Sequence, residues 1–306
     1  MKVVILSKTD CAGSGYKLYE ALIRYTDVRA RMFSFTSQNK FGHEQGIVVT
    51  KENKVLVQKR VNEADIIHLK GDWPHDGSYC GIDLGNKPIV ISVSGSLFRK
   101  RDYGGLGCYD MAEFNNCDVK TSLCLDLCYD DFSDIWIPHP IETQGVPVLW
   151  QYSEPPLLTH SPTRRISKNT KFALNIFDRV AEEGIAETSL IEGVSFKEAD
   201  VARRRSTIFF DQFKIGFYGN SAIEAMRYGI PVANWLSPEL RWPEMDYYCP
   251  VLSRPRDVEQ WVETLKEKLS NKHYMRMWST ATRKWCEEVH SYRAVANKLL
   301  NIYKQL

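Results

Sequence analysis

Two successions of short apolar runs, each followed by a longer segment of helical period, constrain this chain more than any other feature. The first succession opens with VVILS (3–7), passes a small polar loop, DCAGSG (10–15), and continues into YKLYEALIRY (16–25). In that last segment Leu18, Ala21, Leu22 and Tyr25 recur at helical spacing. ADIIHLK (64–70) and KPIVISVSG (87–95) read as further strands, with DVKTS (118–122) and DIWIPHP (134–140) as shorter ones. Strand, glycine-containing turn and helix in this order open a nucleotide-fold unit. Short strands alternating with longer segments give an α/β class with a parallel sheet flanked by helices.

The period is lost in IETQGVPVLWQYSEPP (141–156), which reads as a linker. A second succession follows. PLLTHS (156–161) is a strand and KNTKFALNIFDRVAEEG (168–184) a helix with Gly184 as its stop. ETSLIEGV (187–194) is a strand, and SFKEADVARR (195–204) a helix whose Ser195 and Glu198 have capping-box spacing. STIFFDQF (206–213), NSAIEAMRYG (220–229) and IPVANWL (230–236) read as strand, helix and strand, and the last fifty residues as helical. A length of 306 residues suits two domains of about 150 residues, placed at 1–150 and 151–306.

Charge and cysteine content narrow the function classes. The formal charge is +2, and the halves divided at residue 150 carry −2 and +4. That balance demands no polyanionic partner, although it leaves room for a local basic patch. The apolar run VVIL is too short for a signal peptide, and no stretch approaches the roughly 18–20 apolar residues of a membrane span. A soluble, cytoplasmic protein is expected. Cys108, Cys117, Cys124 and Cys128 lie close together, yet they form no CxxC pair and have no histidine among them. Reduced, mostly buried thiols are therefore expected, and no metal site.

Two segments carry chemistry. In DQFKIGFYGNSAIEAMRYGIPVANW (211–235) a strand runs into a glycine-bearing loop and then a helix start. Ligands of open α/β sheets bind where such loops sit. Gly216 and Gly219 allow backbone amides close to a ligand, and the helix turns its positive end toward any phosphate. In THSPTRRISKNT (159–170), Arg164, Arg165 and Lys168 precede a helix. Cations there oppose the helix dipole unless an anion completes the site, as a diphosphate would.

The first segment resembles the donor-site signature of retaining GT-B glycosyltransferases, especially glycosyltransferase family 4. Glu224-Ala225-Met226 and Gly229-Ile230-Pro231-Val232 match its Glu-Ala-Met and Gly-x-Pro-Val. The resemblance implies two facing Rossmann-like domains, the acceptor on 1–150, the donor on 151–306, and a last helix (about 291–306) packing on the first domain. It implies that Glu224 contacts the donor ribose, that Lys168 with Arg164 or Arg165 holds the diphosphate, and that the sugar is transferred with retention and without a metal. Around them the donor site takes in Glu192 and Val194 and the loop Asp211, Gly216, Phe217, Tyr218, Gly219, Asn220 and Ser221. Across from these, Gly13, Ser14 and Gly15 resemble the family's glycine loop, and Ser94 stands where the family often carries histidine. The family's first glutamate, eight residues before Glu224, is replaced by Gly216, so the GFYG amides or Asp211 would meet the donor sugar.

Each assignment has a plainer counterpart. Glu224 would sit at N3 of a capping box if Ser221 were the N-cap. The basic turn can be a solvated surface, and GSG a simple tight turn. His139 reads as a hinge residue. Asp72 and Trp73 follow a strand end and suit acceptor contacts; Arg99 joins them, although its run with Lys100 and Arg101 reads by default as exposed charge. A UDP- or GDP-sugar is the expected co-substrate, no cofactor is needed, and a glycan, lipid-linked, protein or modified-DNA acceptor is compatible. Two rivals share the fold. One is a non-catalytic nucleotide- or sugar-binding relative. The other is a nicotinamide oxidoreductase, for which AGSGYK lacks the third glycine.

Overall fold

Strand β1 (Lys2–Ser7) shows why its apolar run does not alternate with polar residues. Val3 and Ile5 pack with Leu18 and Leu22 on one face, while Val4 and Leu6 pack with Val57, Val61 and Leu69 on the other. A strand covered on both faces needs apolar residues at every position. The computed structural model describes residues 1–36, 42–43, 46–71, 77–95, 99, 117–128, 135–240 and 249–306. It divides into two compact units. One holds the described residues up to Pro140 together with Ser291–Leu306, and the other is Ile141–His290.

The first unit is built on a sheet of order β3-β2-β1-β4-β7-β8-β9, parallel at every pairing. Its strands after β1 are β2 (Arg29–Ser34), β3 (Ile47–Val48), β4 (Ile66–Lys70), β7 (Ile89–Val93), β8 (Val119–Ser122) and β9 (Ile135–Trp136), and a small hairpin pairs β5 (Ser78–Tyr79) with β6 (Ile82–Asp83). Helix α1 (Ser14–Tyr25) covers one face and α2 (Lys54–Asn62) supports the other. The terminal helix α9 (Tyr292–Tyr303) adds Val295, Leu299, Ile302 and Tyr303 to the core beside α1. Neither β2 nor α2 was expected from the sequence. Arg29 and Arg31 break the apolar run of β2, and α2 leaves Val55 and Leu56 exposed while burying Val57 and Val61, which blurs its helical stripe.

The second unit repeats the plan with the parallel order β11-β10-β12-β13. Its elements are β10 (Leu157–His160), α3 (Arg165–Lys168), α4 (Thr170–Glu182), β11 (Glu187–Leu190), α5 (Phe196–Arg203), β12 (Ile208–Phe210), α6 (Asn220–Met226), β13 (Val232–Ala233), α7 (Val258–Ser270) and α8 (Lys272–Trp285). Ser195 and Glu198 form the full capping box at α5. The single helix expected over 168–184 is instead interrupted at Asn169, which takes the left-handed conformation at φ 50° and separates α3 from α4. Asparagine is one of the few residues that tolerates this conformation. Its core joins Phe177, Phe210 and Phe213 to Trp261 and Leu265 of α7. Burial pushes the Cys286 thiol up to about 12, so it behaves as a small core side chain. Among the described residues no helix is long and apolar enough to cross a membrane.

Candidate functional site

In each sheet the chain leaves one strand and returns on its other side, which opens a crevice at the carboxyl ends of the two strands flanking the reversal. In the second unit those strands are β10 and β12. They end at His160 and Phe210, so the segments 161–169 and 211–219 meet there. His160 is fully buried and ties the elements together: one ring nitrogen lies 2.8 Å from the Phe210 carbonyl and the other 2.9 Å from the Thr170 hydroxyl. A carbonyl only accepts, so Nδ1 donates to it and Nε2 accepts from Thr170. Burial holds the imidazole down to about 4.

The two segments converge on Asp211. Its carboxylate is buried, accepting from the Lys168 ammonium on one oxygen and from the Gly219 amide, at 2.6 Å, on the other. The Phe213 amide donates to the Lys168 carbonyl, which fixes the backbone of the cation's own turn. A Cβ at Gly219 would lie 2.9 Å from Lys168 Nζ. Glycine is thus required for the ammonium to lie against the loop. Arg164 is exposed at the start of α3. Arg165 forks onto Glu192, with Nη2 2.6 Å from a carboxylate oxygen. Val194 lies exposed just beyond Glu192. Two of the three dipole-opposing cations, Lys168 and Arg165, therefore already have protein carboxylates beside them, Asp211 and Glu192, a signal that the sequence did not reveal.

Other donor-site expectations change. Gly216 has φ 84°, and a Cβ there would meet Ser237 Cβ at 2.8 Å and the Trp235 ring at 3.2 Å. Its lack of a side chain serves packing, and this loop path admits no carboxylate at that position. Phe217 and Tyr218 are buried and stack on one another at 4.4 Å. The Tyr218 hydroxyl lies 2.7 Å from His290 Nε2 and accepts from Trp285 Nε1 at 3.1 Å, so both side chains belong to the core. Only their backbone remains for a ligand. Asn220 and Ser221 begin α6 half-buried.

The capping-box alternative for Glu224 is corrected as well. The helix begins at Asn220, so its N-cap is Gly219, not Ser221, and the Gly219 amide donates to Asp211. Glu224, 4% exposed, instead faces the buried Arg203, with 3.0 Å between Oε2 and Nη1. Asp200 stands 3.7 Å from the same nitrogen, and the guanidinium lies over the Phe209 ring.

In the first unit the reversal falls between β1 and β4. Asp10, which the sequence reading passed over, accepts from the amides of Gly15 at 2.6 Å and Tyr16 at 3.0 Å. Burial raises its carboxyl above the usual range against those hydrogen bonds. Gly13 is left-handed at φ 63°, Ser14 is buried, and a Cβ on Gly15 would strike Met32 at 2.7 Å. Lys70 donates to Ser94 at 2.6 Å, giving that serine a partner from the end of β4. Arg99 is not exposed charge: its guanidinium forks onto Asp126 at 2.6 and 3.0 Å and is largely covered. His139 approaches the Cys124 sulfur at 3.8 Å. Asp72 and Trp73 lie outside the described residues.

No protein-family profile and no curated protein sequence matches the chain. Solved structures do. An α-glucosyltransferase in complex with UDP-glucose and DNA containing an abasic site is similar over 99% of both chains, at 10% identity and a TM-score of 0.69. The HepE protein of Anabaena in complex with UDP and glucose is similar over 100% of both, at 8% and 0.65. A sucrose-phosphate synthase from Thermosynechococcus elongatus is similar over 100% of this chain and 99% of its own, at 12% and 0.58. At these identities the likeness establishes the architecture. The chain has the α/β GT-B fold of nucleotide-sugar glycosyltransferases of known structure.

Proposed function

We propose that the chain is a glycosyltransferase that moves a sugar from a nucleoside-diphosphate donor, a UDP- or GDP-sugar, with retention and without a metal. The observation that carries this reading is the Lys168–Asp211–Gly219 cluster at the strand ends of the second unit. There the Lys168 ammonium and the Gly219 amide share one buried carboxylate, and Arg164 and Arg165 stand exposed in the same turn. In the transfer, the bond between the anomeric carbon and the diphosphate oxygen breaks, the acceptor hydroxyl oxygen bonds to that carbon, and its proton leaves with the diphosphate. Negative charge grows on the diphosphate as the bond breaks. Lys168 and Arg164 or Arg165 are the groups to neutralise it, and pre-placed cations stabilise such charge without reorganising. Asp211 keeps the ammonium in place until a phosphate shares it, and Glu224 faces the ribose with Arg203 fixing its carboxylate.

The fold it shares with UDP-dependent transferases supports the donor class, and two of the similar structures hold DNA, which brings a nucleic-acid acceptor into consideration beside glycans, lipid-linked sugars and proteins. The side chain missing at Gly216 favours a second reading, a nucleotide-sugar binder that transfers nothing. Calorimetric titration of UDP, GDP and their glucose conjugates tests the donor site. Saturable binding that weakens at least tenfold in Lys168→Ala is expected. Binding indifferent to Lys168 removes the site from the account.

A further inference from the structure

Beside the donor crevice the second unit carries an open groove of about 660 Å³. Arg165 and Ile166 of α3, Lys171 and Asn175 of α4, and Lys214 and Arg256 line it. Four cations line it against one carboxylate, Asp178. Among the described residues, three of these cations, Lys171, Lys214 and Arg256, form no ion pair, whereas the fourth, Arg165, is paired with Glu192. Arg256 is held against the Trp235 ring at 4.5 Å, which fixes where its charge stands on the rim. Lys171 sits in the first turn of α4, where no acidic residue answers it and the N-cap Asn169 makes no side-chain cap bond. A cation at that place opposes the helix dipole, and an external anion relieves the conflict.

The groove is not uniformly polar. Ile166, 80% exposed, and Leu174 lie in the lining. Cations and apolar side chains in one lining suit a polymer that presents both phosphates and sugar or base faces. An anionic glycan offers only its ring C–H faces to Ile166 and Leu174, whereas a nucleic acid adds aromatic bases. We propose that this groove binds the phosphate backbone of a nucleic-acid strand and, resting on the transferase reading above, that this strand carries the acceptor. Lys171, Lys214 and Arg256 contact phosphates, and Ile166 lies against a sugar or base.

Phosphate contacts release counterions, so affinity falls with salt at a slope of about −0.9 per contact on duplex DNA. The test measures binding of a 20-base-pair DNA duplex, its single strand and heparin from 50 to 200 mM salt, in the wild type and in the triple variant Lys171→Gln, Lys214→Gln, Arg256→Gln. UDP titration and thermal melting accompany each protein. Expected is DNA binding by the wild type with a slope steeper by about 2.7 than the variant's, so that the wild type loses about 40-fold more affinity over this range. UDP affinity and melting temperature should match in the two proteins. Three results overturn the proposal: no DNA binding at 50 mM salt, heparin bound more tightly than either DNA, or equal slopes in both proteins. Any of these with UDP binding intact leaves the donor reading standing. DNA binding with no UDP binding leaves the groove and removes the transferase.

Discussion

Glu224 and Arg203 are nearly devoid of solvent and face each other at 3.0 Å, so the fate of one is bound to the other. Glu224→Gln leaves a buried guanidinium with only Asp200 nearby, and removing one partner of a buried pair costs about 3 kcal/mol. The variant should therefore melt lower without any ligand, whereas a cap would tolerate glutamine. A double-mutant cycle with Arg203→Met checks this. The double variant should be more stable than the sum of the single losses implies, and strict additivity would deny the pairing. Two buried histidines set a pH dependence. His160 is held down to about 4 and His68 to about 3, both by burial, while in the unfolded chain each titrates near 6.5. Between about pH 6.5 and 4 the unfolded state takes up protons that the native state refuses. Stability is full above that window and falls as pH drops through it, by at most about 1.4 kcal/mol per pH unit for each histidine. Asp10, raised by burial, acts in the opposite sense at lower pH. Urea titrations at pH 7, 6 and 5 should show the decline, shallower in His160→Gln. A flat profile would mean that neither ring is buried neutral.

At the scale of elements, the loop between β12 and α6 separates two glycines with different duties. Gly219 has ordinary negative φ, −104°, and only the end of a flexible lysine stands in the way of a Cβ. Gly219→Ala should leave melting almost unchanged yet push the Lys168 ammonium aside, cutting turnover about tenfold, the worth of one weakened charged hydrogen bond. Gly216 combines φ 84° with a Cβ position 2.8 Å from Ser237, so Gly216→Ala should cost about 1–3 kcal/mol of stability. Melting curves and initial rates on both variants check the contrast, and equal thermal losses would contradict it. The same loop shows what the sequence could and could not disclose. The strands themselves, the Ser195 cap and the placing of Lys168 and Gly219 beyond strand ends followed from local pattern, although β12 stops at Phe210, short of the run to 213. Gly216 was indistinguishable from Gly219 in the sequence, because its clash is with a residue 21 positions on. The start of α6 at Asn220 was legible, but its N-cap was not, because Gly219 takes that place without a side chain.

At the scale of the whole molecule, two α/β units in series were legible because strands buried on both faces write themselves as unbroken apolar runs. β2 and α2 were not, since Arg29 and Arg31 interrupt the one and exposed Val55 and Leu56 blur the stripe of the other. Nor were two pairings within the first unit, Asp10 with Gly15 and Arg99 with Asp126, since each joins residues whose types are ordinary in loops. The account requires cations, not a metal, to neutralise the departing diphosphate. Activity should then persist in excess EDTA, and loss restored by Mg²⁺ or Mn²⁺ would refute that part of the mechanism. The most direct measurement is release of free nucleoside diphosphate from a panel of UDP- and GDP-sugars, by the wild type and by Lys168→Ala, with circular dichroism confirming that both are folded. The account predicts release from at least one donor by the wild type and a rate lower by about 10²–10³ in the variant, as for loss of one transition-state charge partner. Equal rates in the two folded proteins would contradict it.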